Sequence, residues 1–147
     1  MLGGGTVEGN ATIDGDIAIS NDAEGSTAKL TRKTAHETHT LSLATTSNTT
    51  TISVPSGARL LGASFNVNTA VTNGGDNTWS AAFITGSTTT LATAAAATQD
   101  TKVDLMIVDE ITSAVTQVQF TPQAGSFTAG VIELVVYYEE LTSLASV

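Results

Sequence analysis

The sequence predicts an all-β protein: a jelly-roll-like antiparallel β-sandwich over residues 38–147, preceded by an extended N-terminal arm over residues 1–37. Three observations point there. Apolar and polar residues alternate with period two along most of the chain, the pattern of strands covered on one face. Turn signals recur at short spacing, as they do in sandwiches and jelly rolls. Threonine is abundant, 27 of 147 residues, beside 20 Ala, 13 Ser and 13 Gly, while charged residues make up only 13%. β-Branched threonine suits a pleated, uncharged surface. An apolar share of 41% argues for a packed chain rather than a disordered one, and the length is that of about one domain.

The arm comes first. Val7, Gly9, Ala11, Ile13, Gly15, Ile17 and Ile19 fall on one side, and Glu8, Asn10, Thr12, Asp14 and Asp16 on the other. A period of six is superposed. Val7–Thr12, Ile13–Ala18 and Ile19–Glu24 each open with a branched apolar residue, with Gly or Asn third and Asn or Asp fourth. This is similar to the hexapeptide repeat of β-helices. Three hexads make no solenoid alone, because stacked neighbours supply the core of such folds. The side chains of Val7, Ile13, Ile17 and Ile19 therefore need cover. An edge of the chain's own sandwich, sister subunits or a larger scaffold each supply it, and a chance spacing of Gly/Asp turns also gives the pattern. Docking on other molecules is the expectation carried forward. Residues 25–37 hold three of the five cations, Lys29, Arg32 and Lys33. They are expected in a solvated linker, or paired with an acidic face on this chain or another.

The body reads as about seven strands. Leu41 and Leu43 alternate. Ile52 and Val54 follow a Thr-rich approach and stop at the turn signal Pro55-Ser-Gly57. Leu61, Ala63, Phe65 and Val67 face one way, with Ser64, Asn66 and Asn68 opposite. Residues 73–77, Asn-Gly-Gly-Asp-Asn, form a loop. Trp79, Ala81 and Phe83 alternate next, with Trp79 in the core. Residues 85–102 carry the run Ala94–Ala97, which favours a helical turn or two by intrinsic propensity, and are expected as an inserted loop at one end. Val103, Leu105 and Ile107 make another strand, and Thr116, Val118 and Phe120 the next. In the last strand Ile132, Leu134, Val136 and Tyr138 alternate with Val131, Glu133, Val135, Tyr137 and Glu139. That strand is apolar on both faces for part of its length, so both faces are expected to be covered, either by a second sheet and its loops or by a subunit interface. Val131, Val135 and Tyr137 thereby join the arm residues as candidate subunit or capsid contacts.

Composition narrows the chemistry. The formal net charge is -9, five basic residues against fourteen acidic, so the clustered cations that a nucleic-acid partner requires are missing. Without cysteine there are no disulfides, zinc thiolates or thiol nucleophiles. No apolar run approaches the ~20 residues that span a bilayer, and the opening Met1-Leu-Gly-Gly-Gly has no basic or apolar signal-peptide region. No membrane partner and no signal peptide are expected. His36 and His39 are three apart in a Thr-rich extended stretch, unlike helical zinc-protease spacing. Asp14 with Asp16, or Asp104 with Asp109 and Glu110, lack EF-hand spacing. Glu133 and Glu139 share a strand face but stand ~20 Å apart along it, too far for a glycosidase pair. No G-x-S-x-G elbow occurs. No enzyme, metal site or cofactor is expected.

Two blocks carry a resemblance. Val54-Pro-Ser-Gly-Ala-Arg-Leu-Leu-Gly-Ala63 leads into Ser64-Phe-Asn-Val67, and Phe127-Thr-Ala-Gly130 leads into Val135-Val-Tyr-Tyr-Glu139. Over roughly residues 50–140 the body resembles the small β-sandwich accessory proteins of tailed-bacteriophage virions, the capsid decoration (cement) proteins and head-fibre or tail-fibre modules. The resemblance implies a non-enzymatic decoration protein on the capsid surface, made in the host cytoplasm. It implies a homotrimer seated on the major capsid protein or another virion protein. A head-fibre or tail-fibre module is the alternative within that class. A receptor- or carbohydrate-binding β-domain is the alternative outside it, with residues 73–77 or 85–102 as its site. The blocks also have a direct reading: Arg59 is placed to pair with Glu133 or Glu139 if their strands are neighbours.

Overall fold

A computed structural model of the chain describes residues 18–23, 26–75, 77–87 and 89–142. Val7, Ile13 and Ile17, and most of the hexad segment with them, lie outside the described residues; for Ile19 and Lys29 only the backbone is described. Among the described residues there is no helix. Nine strands form two antiparallel sheets: β1 (Ala18–Ala23), β2 (Ser26–Thr40), β3 (Asn48–Thr49), β4 (Arg59–Asn73), β5 (Thr78–Phe83), β6 (Thr90–Ala96), β7 (Lys102–Ile111), β8 (Val118–Pro122) and β9 (Phe127–Thr142). Sheet A has the order β1-β2-β9-β4-β7 and sheet B the order β3-β8-β5-β6. The chain is the antiparallel β-sandwich that its alternation predicts.

The core lies where the inner faces meet. Phe65 of sheet A packs edge-on against Trp79 and Phe120 of sheet B, with ring centroids 5.6 and 6.0 Å away, and Trp79 and Phe120 are themselves 5.7 Å apart. Such geometry suits the ring quadrupoles. Ile132, Leu134 and Val136 of β9 and Leu60, Phe65 and Val67 of β4 close the inner face of sheet A. Trp79 is fully buried, and its Nε1 donates to the Ala96 carbonyl at 3.1 Å.

Four expectations need correction. Leu61 does not share a face with Ala63, Phe65 and Val67. The pairing of β4 with both neighbours shifts register between Leu60 and Gly62, so Leu60 turns inward and Leu61 is left half-buried. A bulge resets alternation in this way, because an extra residue moves everything after it to the other face. Gly62 is required at the bulge: a Cβ there would sit 2.6 Å from the Leu105 carbonyl oxygen. Residues 85–102 are not simply an inserted loop, since β6 occupies Thr90–Ala96 at the edge of sheet B. Pairing with β5 overrides alanine's helix preference, and the small Ala95 sits opposite the bulky Trp79. Leu41 and Leu43 are not a strand: Leu41 is buried beyond the end of β2, and Leu43 is an exposed turn residue. Finally, residues 26–37 are no linker. β2 runs unbroken across position 37 and pairs with β9 from Lys29↔Thr142 to Thr40↔Val131.

Candidate functional site

The outer face of sheet A differs from an ordinary solvated sheet face. In β2 the residues alternate, with Arg32, Thr34, His36, Thr38 and Thr40 exposed and the odd-numbered residues turned toward the sandwich. Residues directly opposite in an antiparallel pair share a face. Arg32 is opposite Glu139, Thr34 opposite Tyr137, His36 opposite Val135, Thr38 opposite Glu133 and Thr40 opposite Val131. On the far side of β9, Ser64 is opposite Val135 and Asn66 opposite Glu133, and β7 adds Asp104 opposite Ser64 and Met106 opposite Gly62.

The face therefore carries Val131, Val135, Tyr137 and Met106 among its polar residues. Met106 is 84% exposed and Tyr137 40% exposed. The bulge at Leu61–Gly62 lets β7 approach β4, and a groove of about 700 Å³ opens there, lined among others by Arg32, Thr34, Leu61, Asp104, Met106 and Tyr137. Large apolar side chains held on the outer side of a central sheet are the mark of a surface that meets another molecule.

Charges frame one end of this face. Glu139 is almost fully buried, at 4% exposure, yet it points to the outer side, where Arg32 Nε donates to its Oε1 at 2.8 Å and Arg59 Nη1 lies 3.9 Å from its Oε2. The pairing of Arg59 with Glu139 is one of the two that the sequence offered. Lys33 meets Glu140 at 2.8 Å. Two of the arm's three cations thus find their acidic partners on this chain's own β9.

The two histidines are on opposite faces of β2 and share no site within one chain. His36 Nε2 is 2.9 Å from Glu133 Oε1 on the outer face. His39 faces inward, its ring 5.6 Å from that of Phe120 and its Nδ1 2.6 Å from Glu37 Oε1. The other oxygen of Glu37, Oε2, accepts from the Thr51 N–H at 2.7 Å, the Thr51 hydroxyl at 2.8 Å and the Ile52 N–H at 3.0 Å. Thr51 and Ile52 follow β3 of sheet B, so Glu37 ties one sheet to the other along an open side of the sandwich. Burial pushes its carboxyl up, but the hydrogen bonds from His39, Thr51 and Ile52 outweigh this and hold it below the usual range. Among the described residues, no group of three or more His, Asp or Glu gathers as metal ligands would.

Of the candidate contact residues, the structure brings Arg32, Val131, Val135 and Tyr137 onto one face, and puts Lys33 beside them on the inward-turned side of β2. Sequence reading missed Met106 and Glu37. Met106 had a signal: it is an apolar residue at the polar phase of the alternation Val103, Leu105, Ile107. Glu37 had none, because its partners are fourteen and fifteen residues away across a turn. No protein-family model, curated protein sequence or solved structure matches the chain.

Proposed function

We propose that the chain is a non-enzymatic virion structural protein: a capsid decoration protein that assembles as a homotrimer and binds the outer shell. The observation that carries this reading is the outer face of sheet A, where Met106 of β7 stands exposed across β4 from Tyr137 of β9, itself exposed on the strand that carries Val131 and Val135. The two sequence blocks with phage likeness fall on β4 with its approach and on β9, which are hydrogen-bonded neighbours at the centre of the same sheet. The mechanism is mechanical. The outer face and residues 1–24 bury surface against sister copies and shell subunits. Specific interfaces bury ~1,200–2,000 Å², and three linked contacts raise avidity by ~10²–10⁴ without any strong single one. The anionic surface keeps the free protein soluble.

The test is reconstitution on capsids that lack the protein, from the phage whose genome encodes it. Wild-type protein is expected to coat them at fixed stoichiometry, and protein lacking residues 1–24 to stay folded and leave them bare. Full occupancy by the truncated protein would contradict the role given to that segment. A second reading rests on one observation: exposed Tyr137 shares its groove with Arg32 and Asp104, and an aromatic beside polar groups is the chemistry of sugar binding. Glycan-array binding that is lost in Tyr137→Ser would favour this reading.

A further inference from the structure

Three rows of residues cross the outer face of sheet A from β2 to β7. The first is Thr34, Tyr137, Gly62 and Met106, the second His36, Val135, Ser64 and Asp104, and the third Thr38, Glu133, Asn66 and Lys102. Residues paired across strands in this way stand at one level and share a face. The two sides of the face differ in chemistry. On β7, Met106, Asp104 and Lys102 are all exposed, and they present in turn an apolar knob, a carboxylate and an ammonium. On β2 and β9 the same levels present the Tyr137 ring, the His36 imidazole and the Glu133 carboxylate. Level by level the two sides are complementary: a thioether suits an aromatic ring, and the charged and polar groups alternate in opposite senses.

We propose that β7 of one copy of the chain docks head to tail on the β2–β9 side of the outer face of the next copy, so that Met106 meets Tyr137, Asp104 meets His36 and Lys102 meets Glu133 of its neighbour. This rests on the reading that the face assembles three copies, and gives that assembly its register. Symmetry and charge carry it together. In a ring of identical copies every copy stands at the same height along the axis. With the strands along that axis, each level of one copy meets the same level of the next, so the two ends of each row come together. Such a contact is heterologous and closes into a ring. The width of the face selects three copies. The four strands β2, β9, β4 and β7 span about 14 Å at the usual strand spacing. As one side of a triangle that face lies about 4 Å from the axis, near half of the ~10 Å that separates packed sheets. As one side of a square it would lie about 7 Å away and leave the centre open. Gly62 has no side chain and leaves the space beside Tyr137 that the neighbour's Met106 enters, within the groove of about 700 Å³. Val135, inside the second row, then turns toward the axis and is covered.

The chain has no cysteine, so introduced pairs report without background. Within one chain His36 and Asp104 are three strand spacings apart, about 14 Å. A disulfide needs Cα atoms within about 7 Å, so Asp104→Cys/His36→Cys can be joined only between copies. Thr34 and Met106 are equally far apart, and Met106→Cys/Thr34→Cys leaves the charged groups in place. At a concentration where wild-type protein sediments as a trimer, at least one of these pairs is expected to oxidise to a covalent trimer on non-reducing gels. The control Lys102→Cys/Thr34→Cys, about 13 Å off level, is expected to stay reduced, as is Asp104→Cys alone. A trimeric protein in which neither pair cross-links, or whose control cross-links equally, would overturn the head-to-tail register and leave the assembly reading standing. A dimer formed by Asp104→Cys alone would show like meeting like, and would overturn the register in favour of a twofold contact. A monomeric wild-type protein would overturn the register and the assembly reading together.

Discussion

The two faces of sheet A use the same strands and meet opposite conditions. On the inner face of β9, Ile132, Leu134 and Val136 are fully buried against sheet B, and the alternation that sequence reading picks out is obeyed residue by residue. On the outer face of that strand, Val131 and Val135 are half-buried and Tyr137 is exposed, and among the described residues no second layer lies over them. The inner face is justified by the fold alone. The outer face is not accounted for by the described layers, and it is the face on which the proposed assembly rests. The lesson is that apolar residues at the polar phase of a strand carry functional information, whereas those at the apolar phase carry folding information.

The comparison is most easily broken on the inner face. Phe120→Ala removes the ring that touches Phe65, Trp79 and His39. A loss of about 3–5 kcal/mol is expected, visible as a fall of about 10 °C or more in Tm by calorimetry. Fluorescence of the single tryptophan, Trp79, should shift red as its packing loosens. Smaller is the effect of Gly62→Val at the boundary between the faces. Its Cβ collides with the Leu105 carbonyl, so β4 and β7 must separate at a cost of about 1–3 kcal/mol, measured by urea denaturation.

Glu37→Ala is expected to cost about 1–3 kcal/mol near neutral pH, because the Thr51 and Ile52 donors lose their acceptor. The effect depends on pH in a fixed direction. The folded carboxyl is held below its ordinary value of 4.5. Its contribution is in full above that ordinary value and is lost as pH falls through the lower, folded one. Acid titration of stability should therefore fall less steeply for Glu37→Gln than for wild type. Least of all, Met106→Ser and Tyr137→Ser on the outer face should change stability by only about 0.5 kcal/mol, in the same denaturation experiment, while weakening association.

Much of the fold is legible in the sequence, for a physical reason. β4, β5, β7, β8 and β9 each bury one face, and burial imposes period two. Trp79 in the core and the Arg59–Glu139 pairing follow from that pattern. What is not legible depends on backbone geometry or small side chains. The bulge at Leu61–Gly62 exchanges Leu60 for Leu61 on the strength of one glycine's close approach. β6 is hidden by its alanines, which show no strand pattern of their own; Ala95 lies opposite the bulky Trp79 across the ladder. β2 reads as a polar linker because its outward residues are Arg, Thr and His and its inward ones include Glu37 and His39, which bond each other, while Glu37 also bonds the turn after β3. Of the candidate site, the β9 residues were visible as a second apolar phase. The groove was not, since the bulge creates it.

Sedimentation equilibrium at micromolar concentration puts the outer face to the test as an interface between protein molecules. Wild-type protein should sediment at three times the chain mass of 14.9 kDa, and the double variant Met106→Ser/Tyr137→Ser should sediment as a single chain with its Tm nearly unchanged. A wild-type protein that is monomeric at that concentration, or a double variant that still assembles fully, would contradict the assignment of this face to assembly.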